Sequence, residues 1–223
     1  MELRTLVSFI IVAAIVTWAG VLWIAGEAIS WSLLRPLGTV ITIVTAFAVF
    51  YEVVLWRLPL LRRWISKRPP ISGTWRVRLE SSFKDKSGQP VVKTTYLVIA
   101  QTLSTLSVRM FTDKAHSFSL TERIRSAPSD DLFELAIVYQ NVPDIDQRLP
   151  GEPSGSIHFG SLLIPNVPYN PTVLKGHYWT DRRTEGKLTL EERRTTRVSS
   201  FAEGEMLFQK SPNWFERFLS AFC

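Results

Sequence analysis

Two long apolar runs open the chain, and strict alternation takes over after residue 70. Thr5 to Gly26 holds 22 residues without a charge. As a helix rising about 1.5 Å per residue, that length spans a hydrocarbon layer of roughly 30 Å. A second run, Pro36 to Trp56, is interrupted only by Glu52, one turn from its end, where a carboxylate can snorkel toward the interface. The nine residues Glu27 to Arg35 between the runs suit a tight helical hairpin. Trp18, Trp23 and Trp31 mark one membrane interface, Trp56 and Trp64 the other. The pattern thus predicts transmembrane helices over 5–26 and 36–56, with a basic linker completing a unit of residues 1–68. A cleaved signal peptide is the rival reading of the first run, but the run exceeds the usual stretch of roughly 7–15 residues and its basic flank is Arg4 alone.

From Ile71 the period becomes two. Trp75, Val77 and Leu79 alternate with Arg76, Arg78 and Glu80, the pattern of a half-buried strand. Further alternating runs follow at Val91–Thr102, Thr105–Thr112, His116–Arg125, Leu132–Asn141, Gly155–Ile164, Thr172–Asp181 and Gly186–Glu191, separated by turn-rich breaks such as Lys86–Pro90 and Pro165–Pro168. The fold class expected is two N-terminal transmembrane α-helices plus an all-β domain over 69–192, a minimal eight-stranded antiparallel β-barrel whose closure removes its edges. A sandwich is the alternative. An outer-membrane barrel is disfavoured, because the outward faces carry Arg76, Arg78, Glu80, Lys187 and Glu191 in place of a lipid-facing band. Residues 193–223 form a C-terminal extension in which Trp214, Phe215, Phe218, Leu219 and Phe222 fit one stripe of a short amphipathic helix, docked on the barrel or lying in the membrane interface.

Charge sharpens the division. The net charge is +6, and residues 1–72 contribute seven basic and three acidic residues to it. The high isoelectric point therefore belongs mainly to the hairpin and its flank, which weakens any case for DNA or RNA as a partner. Arg57, Arg62, Arg63, Lys67 and Arg68 follow the second run, whereas the connecting loop holds only Arg35, so both ends and the barrel are expected in the cytoplasm. Thr39, Thr42 and Thr45, with Gly38 and Glu52, share one helical face. They serve either as an association surface between hairpins or as ordinary packing within one. Cys223 is the only cysteine, which rules out an internal disulfide framework. His116, His158 and His177 show no metal-ligand spacing, and no phosphate loop, nucleophile elbow or HExxH occurs. Neither an enzyme nor a cofactor or metal protein is expected.

The candidate chemistry lies on the inward faces. Leu97, Ile99 and Gln101 share one, as do Phe133, Leu135, Ile137, Tyr139 and Asn141, and His158, Gly160, Leu162 and Ile164. Read as one strand, Leu174 to Gly186 places Gly176, Tyr178, Thr180, Arg182 and Thr184 on the same inward side. An inward Arg needs a buried partner or an anionic ligand; otherwise it sits at the rim beside a loop carboxylate such as Asp144 or Asp146. Glycines 160 and 176 are expected to leave interior volume. Aromatic faces, amides and an Arg together suit a nucleotide, through stacking and phosphate contact, although a polar core network needs no ligand.

Gly73-Thr-Trp75, Ile99-x-Gln101, Tyr139-x-Asn141-x-Pro143, His158-x-Gly160 and Leu174-x-Gly-x-Tyr-x-Thr-x-Arg-x-Thr-x-Gly186, behind two apolar runs and a basic linker, resemble the SMODS-associating, two-transmembrane, strand-rich effectors of CBASS, the bacterial cyclic-oligonucleotide anti-phage systems. The similarity covers about residues 1–191. It implies a barrel that binds a cyclic dinucleotide made by a partner CD-NTase, homo-oligomerisation on activation, and disruption of the lipid of the inner membrane that kills the infected cell. It also implies ligand-facing roles for Gln101, Tyr139, Asn141, His158, Tyr178, Thr180, Arg182 and Thr184. A lipid-binding or envelope scaffold barrel is the reading from another class.

Overall fold

The computed structural model describes residues 31–58, 68–84, 87–126, 132–144 and 156–211, together with scattered positions between 8 and 26. Helix α1 (Trp31–Val53) runs into a single 3₁₀ turn at Leu55–Arg57. It begins five residues before the expected Pro36, and the described positions at 8–24 are helical as well. Among the described residues no helix is long and apolar enough to cross a membrane.

Eight strands follow: β1 (Gly73–Lys84), β2 (Pro90–Gln101), β3 (Leu106–Phe111), β4 (Ala115–Ser126), β5 (Phe133–Pro143), β6 (His158–Val167), β7 (Leu174–Thr180) and β8 (Glu185–Arg194). Each pairs antiparallel with the next, and β8 returns to β1 to close the barrel. The alternation forecast from the sequence is therefore the wall of a barrel and not of a sandwich. Adjacent strands align their inward residues in layers; Trp75 stands opposite Leu97, and Leu97 opposite Met110. A closed meander leaves each strand paired on both sides, and its interior must be filled by every second residue.

That filling is uneven along the axis. At the end reached by the linker, called proximal here, Ile71, Trp75, Ile99, Leu135, Ile164, Val167, Leu174 and Leu190 form a dry core. Gln101, 3% exposed, seals it: its Oε1 accepts from the Ile71 N–H at 2.9 Å and its Nε2 donates to the Pro69 carbonyl at 3.0 Å. The Trp75 indole donates to the Ile71 carbonyl at 2.9 Å, and the Arg193 guanidinium lies over the same indole, 5.5 Å from the ring centre. The opposite, distal end is bordered by the β1–β2, β3–β4, β5–β6 and β7–β8 connections.

Three expectations change. Leu174 to Gly186 is not one strand: β7 stops at Thr180 and residues 181–184 make a hairpin turn, with Arg183 at φ 59° and Thr180 N–H donating to the Thr184 carbonyl at 2.9 Å. Glycines 160 and 176 do not leave voids, for a Cβ on Gly160 would lie 2.5 Å from the Tyr139 ring and one on Gly176 would lie 2.9 Å from Ile164 Cγ1. Each glycine admits a neighbour's side chain. Glu52 does not snorkel; it is 7% exposed and bonded to the β2–β3 loop.

The extension folds onto the barrel. Helix α2 (Phe201–Gln209) starts at Ser200, whose hydroxyl accepts from the Glu203 N–H, while the Glu203 carboxylate accepts from the Ser199 N–H at 2.7 Å. This reciprocal box satisfies two donors at the helix start. Gly204 packs on the Tyr96 ring, with Phe201 and Phe208 against the same ring at 5.3 and 5.6 Å between centroids. The expected stripe Trp214–Phe222 lies outside the described residues.

Candidate functional site

The distal half of the barrel encloses a cavity of about 270 Å³. Its floor is apolar, made by Leu97, Val108, Ile137, Leu162 and Leu188, the last ring of core residues above the proximal plug. Above them stand two tyrosines from strands on either side of β6, Tyr139 on β5 and Tyr178 on β7, both brought in by glycines: Gly160 receives the Tyr139 ring, and a Cβ on Gly186 would lie 2.6 Å from Tyr178 Cε1. Burial raises the phenol pKa of each above its ordinary value, and Tyr178 adds to the effect on Tyr139. Both phenols therefore stay protonated at neutral pH and present O–H groups and ring faces to the cavity.

A polar girdle surrounds the mouth. The Ser117 hydroxyl donates to Asn141 Oδ1 at 2.7 Å, which turns the Asn141 amide N–H toward His158 Nδ1, 3.4 Å away. With Nδ1 accepting, the neutral ring carries its proton on Nε2. Burial, and secondly the charge of Arg182, lower the His158 pKa, so the ring is neutral at pH 7. Across the mouth the hydroxyls of Thr180 and Thr184 lie 2.7 Å apart, fixed by the turn that joins β7 to β8. Thr112, Lys93 and Lys114 complete the polar part of the lining. Lys93 pairs with Asp113 at 3.0 Å. The girdle offers neutral donors and acceptors at a fixed spacing with two ammonium groups beside them, a donor set matched to base edges and phosphate oxygens.

Six of the eight residues named from the sequence thus meet in one cavity: Tyr139, Asn141, His158, Tyr178, Thr180 and Thr184. Gln101 is at the other end of the barrel, where its amide clasps the linker. Arg182 stands on the exposed distal turn and its guanidinium donates to the Ser156 carbonyl and, at 2.6 Å, to the Ser156 hydroxyl. It is a rim residue, as one of its two readings had it, but held by a serine and not by Asp144; Asp146 lies outside the described residues. Sequence reasoning missed Lys93, Lys114, Thr112 and Ser117. Lys93 is cross-strand from Leu79, and Leu79 is cross-strand from Leu188, so the pairing puts this lysine on the inward face. The signal was its place in the β2 alternation, which the charge obscured.

Among the described residues no group of His, Cys, Asp and Glu could hold a metal ion. The closed eight-stranded barrel is dry at one end and presents aromatic rings, amides, hydroxyls and ammonium groups at the other, chemistry that suits a small polar ligand with flat rings. The family model described as Cap15, cyclic dinucleotide receptor domain, matches residues 66–192, more than half of the chain, and the chain belongs to this family. No curated protein sequence matches it.

Proposed function

We propose that this chain is a membrane-anchored CBASS effector whose barrel binds a cyclic dinucleotide in the distal cavity. The observation that carries the reading is the convergence of Tyr139, Asn141, His158, Tyr178, Thr180 and Thr184 on one cavity in a chain of a cyclic dinucleotide receptor family. In this reading the tyrosine rings stack on a base, the Ser117–Asn141–His158 row and the threonine pair read its edge, and Lys93, Lys114 and Arg182 meet the phosphates. Bound ligand favours an assembled state, since a ligand equally at home in both states would shift nothing. Assembly gathers the two-helix anchors of residues 1–68 in the inner membrane and breaches it. The N-terminus and barrel face the cytoplasm, the ligand comes from a partner CD-NTase, and no catalytic step, metal, cofactor or nucleic-acid polymer takes part. The finer assignment is to the two-transmembrane, strand-rich group of these effectors.

Support for the anchor comes from exposed apolar side chains, among them Trp23 at 87%, Ile43 at 63% and Phe47 at 62%. A water-exposed helix with that surface is unfavourable, whereas lipid accommodates it. The polar girdle counts against a lipid-binding barrel, whose cavity would be apolar to the mouth.

The test uses the full-length protein in lipid vesicles, titrated with a panel of cyclic dinucleotides that covers both 3′,3′ and 2′,3′ linkages and purine and pyrimidine bases. One member is expected to bind, to enlarge the assembly on sizing in detergent, and to release a trapped dye. No binding across the panel, with lipid copurifying in the cavity, would falsify the reading.

A further inference from the structure

Glu52 is a buried carboxylate that makes no ion pair among the described residues. Its Oε1 accepts three hydrogen bonds from the four-residue β2–β3 loop: the Thr102 hydroxyl at 2.6 Å, the Ser104 hydroxyl at 2.6 Å and the Ser104 N–H at 2.9 Å. The Glu52 carbonyl also accepts from the Leu103 N–H at 3.3 Å. Thr102 is itself fixed, since its Oγ1 lies 2.7 Å from the Thr105 hydroxyl and accepts from the Thr105 N–H at 3.0 Å. Arg68 at the start of the described linker donates to the Leu103 carbonyl, and Gln101, the last residue of β2, holds Pro69 and Ile71. The loop therefore grips the last turn of α1 and the linker together.

A buried carboxyl group is an expensive way to end a helix, because its desolvation has to be offset by well-placed donors, and an apolar residue would fill the same space without that cost. What the hydrogen bonds to Oε1 add is a defined geometry, through short and directional contacts. The hairpin that makes the grip also walls the ligand cavity. Strands β2 and β3 pair at six consecutive positions, from Tyr96 with Phe111 to Gln101 with Leu106. Their other ends carry Lys93, Val108, Met110 and Thr112 into the cavity lining. One stiff ladder thus has the ligand at its distal end and α1 at its proximal end.

We infer that the Glu52 clip is the joint through which a ligand-driven tilt of the β2–β3 hairpin moves helix α1, so that Glu52, Thr102 and Ser104 act as positioning residues for the membrane anchor. This rests on the ligand-driven assembly proposed above and names the mechanical link it requires. The joint holds its grip in both states and transmits force. It is not a brake that ligand releases.

The experiment uses the full chain in vesicles with the double variant Thr102→Val/Ser104→Ala, which removes both hydroxyl donors of the clip, leaves only its backbone N–H contacts, and does not touch the cavity lining. Hydrogen exchange at the Leu103 and Ser104 amides is expected to accelerate by about tenfold or more, whereas the Kd of the cyclic dinucleotide that binds the wild type stays within about twofold and the concentration for half-maximal dye release rises by about tenfold or more. Thr102→Ser, which keeps a hydroxyl, is expected to behave as the wild type. An unchanged release curve would reduce the clip to a structural contact, and release without ligand would make it a brake; either overturns the inference. If no cyclic dinucleotide binds the wild type, the ligand reading falls, and unchanged exchange at Ser104 in the double variant overturns the joint as well.

Discussion

The two ends of the barrel are built from the same strands and do opposite things. Proximally, the packed interior is apolar, sealed by the Gln101 amide and by Arg193 over Trp75, each with its partners in place, and the space is closed. Distally, the inward positions of the same β5 and β6 become Tyr139, Asn141 and His158, and the space is open. The difference shows how a small barrel divides its labour. A closed meander needs stacked apolar layers to hold together, and once two or three are in place the remaining length of each strand can carry polar groups without endangering the fold. Stability and recognition are then separable along the axis, and mutations at the two ends should fall into different classes.

The largest effect is expected from Trp75→Ala. Trp75 is fully buried and supports Ile71 and Arg193, so truncation should lower stability by about 3–5 kcal/mol, read by denaturant unfolding of the protein in detergent. Ligand affinity of the molecules that remain folded should not change, and a parallel loss of affinity would join the two ends. Gln101→Leu comes next. It strands the Ile71 N–H and the Pro69 carbonyl in a buried setting and should cost about 1–3 kcal/mol, again with unaltered ligand affinity. Loss of affinity alone in this variant would make Gln101 a ligand contact acting at the wrong end of the barrel. Asn141→Leu should behave in the reverse manner, changing stability by about 1 kcal/mol or less and weakening cyclic dinucleotide binding by about tenfold or more, measured by calorimetry.

The smallest effect is a pH dependence confined to the distal end. His158 titrates below the ordinary imidazole value of 6.5, because burial and then Arg182 oppose its charged form. As pH falls, the unfolded chain takes up this proton before the folded one, so the stability tied to His158 is intact above 6.5 and declines from there down to the folded-state value. Melting temperatures of wild type and His158→Asn, compared at roughly pH 7.5 and 5.5, should show the larger acid-induced drop in the wild type. Equal drops would remove the shift from this residue.

How much of this was readable from the sequence follows the same axis. The core announces itself most clearly in β1, where Trp75, Val77 and Leu79 alternate with Arg76, Arg78 and Glu80; in β2 and β5 the residues between Leu97 and Ile99 and between Leu135 and Ile137 are themselves apolar, and the short β-branched runs carry the signal instead. The distal end was legible up to the last residue of each strand. Tyr139, Asn141, His158, Tyr178 and Thr180 kept the alternation, but the β7–β8 turn was hidden, because Thr180, Arg182 and Thr184 continue the parity of a strand and the positive φ at this turn falls on Arg183, where no glycine advertises it. Lys93 kept the parity of β2 but its charge masked it, and residues that matter through a contact between distant segments, as Glu52 and Gln101 do, have no local signature. Helix α2 was not anticipated, because its nine residues of mixed polarity give little periodicity.

Helix α2 also bears on where the chain can be cut. The family match ends at residue 192, yet Tyr96, Val98 and Phe111 on the outside of the barrel are covered by Val198, Phe201, Leu207 and Phe208, all beyond that point. A receptor domain truncated at the family boundary would carry a bare aromatic patch on β2 and β3 and would be a poor soluble reagent, prone to self-association that could pass for ligand-driven assembly. Retaining the chain through Lys210 keeps that patch under its helix.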